Sequence, residues 1–97
     1  MDVVLVTEKG MVKRTDAEEF RQQGRGGGGI TAMSLGEGDR VVAATKLSME
    51  GSLMVVTSGG TAIRFAATEL RSMGRTAQGV RAIRLKEGEK VVAVIAL

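Results

Sequence analysis

The chain contains no cysteine and no histidine. The first absence removes disulfide scaffolds and thiolate chemistry. The second removes the usual general base and the commonest metal ligand. Tryptophan and tyrosine are missing as well, and Phe20 and Phe65 are the only aromatic side chains. Base stacking then has almost nothing to work with, which disfavours single-strand nucleic-acid binding. No run approaches the ~18 apolar residues of a membrane span, and Met1-Asp2 leads straight into a strand-like stretch without the pattern of a signal peptide. The expectation is a cytoplasmic chain with no membrane, no metal and no cofactor. Without histidine or cysteine, catalysis would need carboxylates or lysines converging in a pocket. The acids cluster on expected turns instead, so no catalytic residue is expected.

What the 97 residues do contain is one pattern written twice. Val4-Leu5-Val6-Thr7 followed by Gly10 returns as Met54-Val55-Val56-Thr57 followed by Gly60, an offset of 50 residues. Gly24-Arg25 with Gly29 returns as Gly74-Arg75 with Gly79, and Glu37-Gly38-Asp39-Arg40-Val41-Val42-Ala43 returns as Glu87-Gly88-Glu89-Lys90-Val91-Val92-Ala93. A period of this size marks stacked or radially arranged supersecondary units. The units are residues 1–50 and 51–97. Repeat units rarely cover their own apolar faces, and roughly three or more are usually needed for stability. Something beyond two units is therefore expected to cover the rest: further copies of the chain, or neighbouring parts of a longer protein.

Each unit reads as short strands. Residues 3–7 form an apolar run, Glu8-Lys9-Gly10 supplies a turn, and residues 11–14 begin a second strand, so the three pieces make a hairpin. Residues 53–57, Ser58-Gly59-Gly60 and residues 61–65 repeat it. Third strands are expected over 30–35 and 80–85, and fourth strands over 41–47 and 91–97. Thr15 and Glu18 have the spacing of a capping box, which places a helical or 3₁₀ turn after the second strand. Four antiparallel strands in about 50 residues is the size of a propeller-type blade. The fold class is all-β, with two four-stranded blades.

Charge divides unevenly between the units. Residues 1–50 carry seven basic and eight acidic side chains, whereas residues 51–97 carry seven basic and three acidic. Arg64, Arg71, Arg75, Arg81 and Arg84 face a single acid, Glu69, in the same stretch. Local cationic excess is the footprint of a polyanion binder; a merely solvated surface is the plainer alternative.

Gln23-Gly24-Arg25-Gly26-Gly27-Gly28-Gly29 resembles the signature box of the gyrase-A-type C-terminal domain of DNA gyrase. That pattern is Gln, two basic positions, Gly-Gly, a basic position and Gly. Gln23, Arg25, Gly26, Gly27 and Gly29 match it, while Gly24 and Gly28 stand where basic residues are the rule. Residues 73–81 are similar to the degenerate boxes of later blades in gyrase A and topoisomerase IV. The resemblance covers essentially the whole chain. It implies a β-pinwheel, a disc of blades that exchange strands with their neighbours, and a role in binding and bending duplex DNA around a basic rim. It also implies the remainder of a type IIA topoisomerase as partner, with cleavage and ATP hydrolysis on other parts of that enzyme, and a location in the bacterial cytoplasm beside the nucleoid.

The residues of the box can be argued apart from the family. Glycines reach φ > 0 at little steric cost, and successive N–H groups in such turns form an anion-binding nest. With Arg25 beside it the loop could hold a phosphate, with Gln23 adding a neutral hydrogen bond; equally, the glycines could serve only the bend. Gly24, Gly26 and Gly29 satisfy Gly-x-Gly-x-x-Gly, yet neither a buried strand before nor a helix after supports a dinucleotide site. The expected rim comprises Lys13, Arg14, Arg21, Gln23, Arg25, Gly26, Gly27, Gly29, Arg64, Arg71, Arg75, Arg81 and Arg84, neutralising phosphates with little sequence discrimination. The alternative function is a structural propeller module that self-associates into a closed ring, since open edges and apolar faces invite association.

Overall fold

The computed structural model describes residues 2–18, 33–74 and 77–97. Among these, seven strands run in the order β1 (Asp2–Thr7), β2 (Met11–Asp16), β3 (Val41–Leu47), β4 (Ser52–Thr57), β5 (Ala62–Ala66), β6 (Val80–Arg81) and β7 (Val91–Ala96). A 3₁₀ turn, Ala67–Glu69, follows β5. The fold is all-β. Its first sheet has the order β3-β1-β2-β6 and its second β5-β4-β7, both antiparallel throughout.

The repeat seen in the sequence is a repeat of hydrogen bonding. Asp2 pairs with Asp16 and Val6 with Val12; fifty residues on, Ser52 pairs with Ala66 and Val56 with Ala62. The outer strand shifts register at Val6/Thr7 in one sheet and at Val56/Thr57 in the other. Gly10 and Gly60 take φ of +92° and +87° in the hairpin turns, a conformation open to glycine and strained for other residues. The Thr7 hydroxyl accepts the Met11 N–H at 3.0 Å, and the Thr57 hydroxyl accepts that of Thr61 at 3.2 Å.

The acids of the Gly-Glu-Gly-Asp and Lys-Glu-Gly-Glu turns tie two turns together. Asp39 Oδ1 accepts the Lys9 N–H at 3.0 Å and the Arg40 N–H at 2.9 Å. Glu89 accepts the Thr57 hydroxyl through Oε2 and the Lys86 N–H, at 2.9 Å, through Oε1. The Lys86 N–H above all, then the Thr57 hydroxyl, holds the Glu89 carboxyl below its ordinary value of 4.5. A lowered folded-state pKa means that this contribution to stability is present above 4.5 and is lost as pH falls through the lowered value. Glu89→Gln should therefore melt below the parent chain at neutral pH, and the gap should close in acid. A gap in melting temperature that persists in strong acid would mean the side chain acts by shape, not charge.

Among the described residues, ten buried apolar side chains from both sheets and the segment after β5 form one core, with Val4, Val6 and Val12 from the first sheet and Leu53, Val55 and Val91 from the second fully or almost fully enclosed. β1 is buried on both faces from Val4 to Thr7. β4 alternates, with Leu53, Val55 and Thr57 buried and their neighbours half-exposed. An apolar run thus marks the strand covered on both sides, and the second sheet keeps an uncovered face.

Three expectations are corrected. The third strand of the second unit spans only Val80–Arg81 and joins the first sheet: Val80 pairs with Val12 and Arg81 with Met11. The second sheet accordingly holds three strands among the described residues. Of the strand expected over 30–35, residues 30–32 lie outside the described part, and Met33, Ser34 and Leu35 are not in a strand. The cap after β2 is Asp16, whose Oδ1 accepts the Glu18 N–H at 2.9 Å; Thr15 belongs to the strand and is buried. Asp16 is exposed at the strand end, where its short side chain can turn back on the backbone.

Candidate nucleic-acid interface

The chain from Leu70 to Lys86 contains no acid. It is also the crossover between the two sheets. The 3₁₀ turn that opens it is fixed by Glu69, whose Oε2 accepts the Ala66 N–H at 2.6 Å, and by the buried Leu70. From there the chain runs along the edge of β2. The Met73 N–H donates to the Arg14 carbonyl at 2.8 Å, Val80 pairs with Val12, and the Ala82 N–H donates to the Gly10 carbonyl at 3.0 Å. Gly79 turns the chain with φ +90°, so close to β2 that a Cβ there would lie 2.6 Å from the Val12 carbonyl oxygen. Ile83 is buried at the far end.

The crossover is thus anchored along the edge of β2. Arg71, Arg81 and Arg84 are exposed, and among the described residues no acid pairs with any of them. Lys86, which by sequence belongs with the following turn, is exposed at the end of the same stretch. Val80, Arg81 and Ala82 line a groove of ≈ 400 Å³ together with Ile63, Arg64, Phe65, Glu69 and Leu70. Arg64 and Arg81 are thus the two site arginines that share one depression.

Lys13 and Arg14 are placed differently from the expectation. Lys13 is 1% exposed, and its Nζ donates to the Gly74 carbonyl at 3.0 Å. Its stem lies in the interior and its charge fastens the crossover. Arg14 has a side chain 11% exposed, with Nε 2.9 Å from Asp2 Oδ2 and Nη1 donating to the Ala67 carbonyl at 2.9 Å. Both cations are spent on holding the second unit against the first. Arg21, Gln23, Arg25, Gly26, Gly27, Gly29 and Arg75 lie outside the described residues.

The repeat explains why the second unit is the basic one. Arg64 stands where Arg14 does, but its Nε donates to Ser52 Oγ at 3.0 Å, in the place of Asp2. Arg40 pairs with Glu8 at 3.1 Å, whereas its counterpart Lys90 has Ser58 in the place of that acid, with the Lys90 N–H donating to Ser58 Oγ at 3.0 Å. At Arg64 serine for acid keeps the side-chain hydrogen bond, at Lys90 the serine takes only the backbone N–H, and at both the acid that would compensate the cation is gone. Among the described residues no three His, Cys, Asp or Glu side chains gather as a metal site, and no helix is long and apolar enough to cross a membrane.

A family model described as the DNA gyrase C-terminal domain, beta-propeller, matches the chain twice, over residues 2–48 and 51–97. The chain belongs to this gyrase C-terminal domain family. Its similarity to the gyrase A protein of Kosmotoga olearia is 47% identity over 49 residues, covering 47% of this chain and 6% of that protein. With the gyrase A protein of Borreliella burgdorferi it is 43% identical over 42 residues, 43% of this chain and 5% of the relative. The chain thus spans only a small fraction of the curated relatives it matches. In solved structures, the C-terminal domain of DNA topoisomerase IV superposes with a TM-score of 0.92 at 30% identity, covering 99% of this chain and 29% of that one. The DNA gyrase A C-terminal domain superposes at 0.86 with 25% identity, covering 98% and 30%. Within a gyrase-type C-terminal domain, strand β6 of the second unit inside the sheet of the first is the exchange between blades that the pinwheel resemblance implies.

Proposed function

We propose that this gyrase-type blade pair binds duplex DNA through its phosphates and bends it, as part of a type IIA topoisomerase that controls supercoiling. The observation that carries the reading is the acid-free crossover, anchored to β2, along which Arg71, Arg81 and Arg84 are exposed without an acid partner among the described residues. Guanidinium groups without acid partners attract a polyanion at no cost of breaking an internal ion pair. Arg21, Gln23, Arg25, Gly26, Gly27, Gly29 and Arg75 are further candidate contacts from the sequence alone, since they lie outside the described residues. Lys13 is left out of the interface because it is buried in the joint between the units, and Arg14 because it is half-buried there and paired with Asp2. Arg64, exposed and lining the same groove as Arg81, is a further candidate contact. The remainder of the topoisomerase is the covalent partner, and cleavage and ATP hydrolysis reside there. The location is the bacterial cytoplasm, at the nucleoid.

Titration against duplex DNA over a range of salt tests this directly. Each phosphate contact contributes about −0.9 to the slope of log K against log salt. Arg81→Gln and Arg84→Gln should each make that slope shallower by about one contact and weaken binding to unrelated sequences alike. Affinity indifferent to salt would remove the DNA reading.

A further inference from the structure

Arg14 is the cation at which three pieces of the chain meet. Its Nε lies 2.9 Å from Asp2 Oδ2 at the start of β1, although the N–H is not aligned with that oxygen for a hydrogen bond. Its Nη1 donates to the Ala67 carbonyl at 2.9 Å, at the head of the 3₁₀ turn of the second unit. The same Nη1, which carries two hydrogens, also reaches Met49 Sδ at 3.0 Å. Met49 stands in the turn that takes the chain from β3 to β4, and so from one unit to the next. The Gly51 N–H closes that turn on the Ser48 carbonyl at 3.0 Å, and the Gly51 carbonyl accepts the Ala67 N–H at 2.9 Å. The guanidinium is thus tied to the joint by one good carbonyl, one poorly aligned carboxylate and a thioether, which is a weak acceptor.

The thioether is also the accessible one. Met49 is 47% exposed, whereas Met11, Met54 and Met73 are half-buried and Met33 is buried. We propose that Met49 is a reversible oxidation site: hydrogen peroxide converts its thioether to the sulfoxide, and Arg14 takes the new oxygen as a stronger partner, tightening the joint between the units. This goes beyond the DNA reading and does not depend on it. In the step, a lone pair on Sδ attacks one peroxide oxygen, so that the S–O bond forms as the O–O bond breaks. The departing hydroxide removes the proton from the transferred oxygen and leaves as water. Sulfur loses two electrons and the peroxide gains two. A sulfoxide in a core disrupts packing, because a polar group is placed among apolar ones. At position 49 the polarity arises at the surface beside a cation. The unbranched side chain can turn about its Cγ–Sδ bond to present the oxygen to Nη1. A charge-assisted hydrogen bond then replaces the N–H to sulfur contact.

The full chain, treated with a limiting dose of hydrogen peroxide, tests this without DNA, so a failure here is separable from a failure of the DNA reading. Peptide mass spectrometry should show Met49 taking up oxygen several-fold faster than Met11, Met33, Met54 and Met73. The melting temperature of the chain oxidised at Met49 should rise by roughly 2–5 °C, as expected for one stronger hydrogen bond to a charged group at a partly exposed site. Methionine sulfoxide reductase should return it to the starting value. Met49→Leu given the same dose should show no rise. Met49→Gln offers Arg14 an amide oxygen at similar reach with no oxidation, and should melt above Met49→Leu by a similar margin. Position 49 is at the surface, so neither substitution disturbs the core. Oxidation no faster at Met49 than at the half-buried methionines overturns the proposal. So does a Met49 sulfoxide that leaves the melting temperature unchanged or lowers it, or a Met49→Gln chain that melts no higher than Met49→Leu.

Discussion

Gly79→Val should cost the chain about 3 kcal/mol or more of stability, the sum of a side chain forced to positive φ and an overpacked contact. The backbone at Gly79 has φ +90°, and the added Cβ would stand 2.6 Å from the Val12 carbonyl oxygen and 3.1 Å from both Lys13 Cβ and Met33 Cε. Backbone cannot move aside there without breaking the pairing of β2 with β6. Gly60 supplies the control. It has φ +87° and nothing within 4 Å of its virtual Cβ, so Gly60→Val carries only the strain of the conformation, roughly 1 to 2 kcal/mol. The excess at Gly79 measures what the exchanged segment contributes. For a domain near 100 residues the larger loss lowers the melting temperature by roughly 10 °C or more, readable by circular dichroism. Equal losses at the two glycines would mean that the exchange adds nothing to stability.

Lys13→Ala is expected to destabilise by about 2 to 4 kcal/mol, an effect of truncating a long buried side chain. The stem of Lys13 is enclosed, and its Nζ joins the first unit to the Gly74 carbonyl of the second. Removal therefore opens a cavity and unfastens the crossover together. Lys13→Met keeps most of the stem and loses only the donor, so it should cost nearer 1 kcal/mol. The repeat already contains a similar exchange, because the counterpart of Lys13 is Ile63. Urea unfolding measures both losses. The salt dependence of DNA binding should not change in Lys13→Met, since a buried ammonium neutralises no phosphate. A shallower slope with an unchanged unfolding midpoint would place that charge on the DNA side.

These two residues show where a linear reading works and where it stops. Gly79 is recognisable as the fixed glycine of a repeat, and positive φ is a property that the residue type itself advertises. Which surface it approaches is a matter of β2, more than sixty residues earlier in the chain. Lys13 and Arg14 look like rim cations because they follow a strand-like run and precede a loop. Their direction was decided by alternation across β2 and by the arrival of residues 67–74 over them, neither of which a charge count contains. Arg71, Arg81 and Arg84 lie in a stretch without acids, and the fold brings no acid of the described residues to them from elsewhere.

The sequence by itself determined the period of 50 residues, the hairpins with their glycine turns, the outer strands and the location of the cationic excess. All of these follow from local spacing, backbone preference and charge count. Only the tertiary structure decided that β6 leaves its own unit for the edge of β2, that two of the expected rim cations are consumed in the joint, and that no strand of the described residues lies beyond β5. Those outcomes depend on which of two nearly equivalent edges a strand finds, and edge pairing is settled by contacts between residues far apart in the chain.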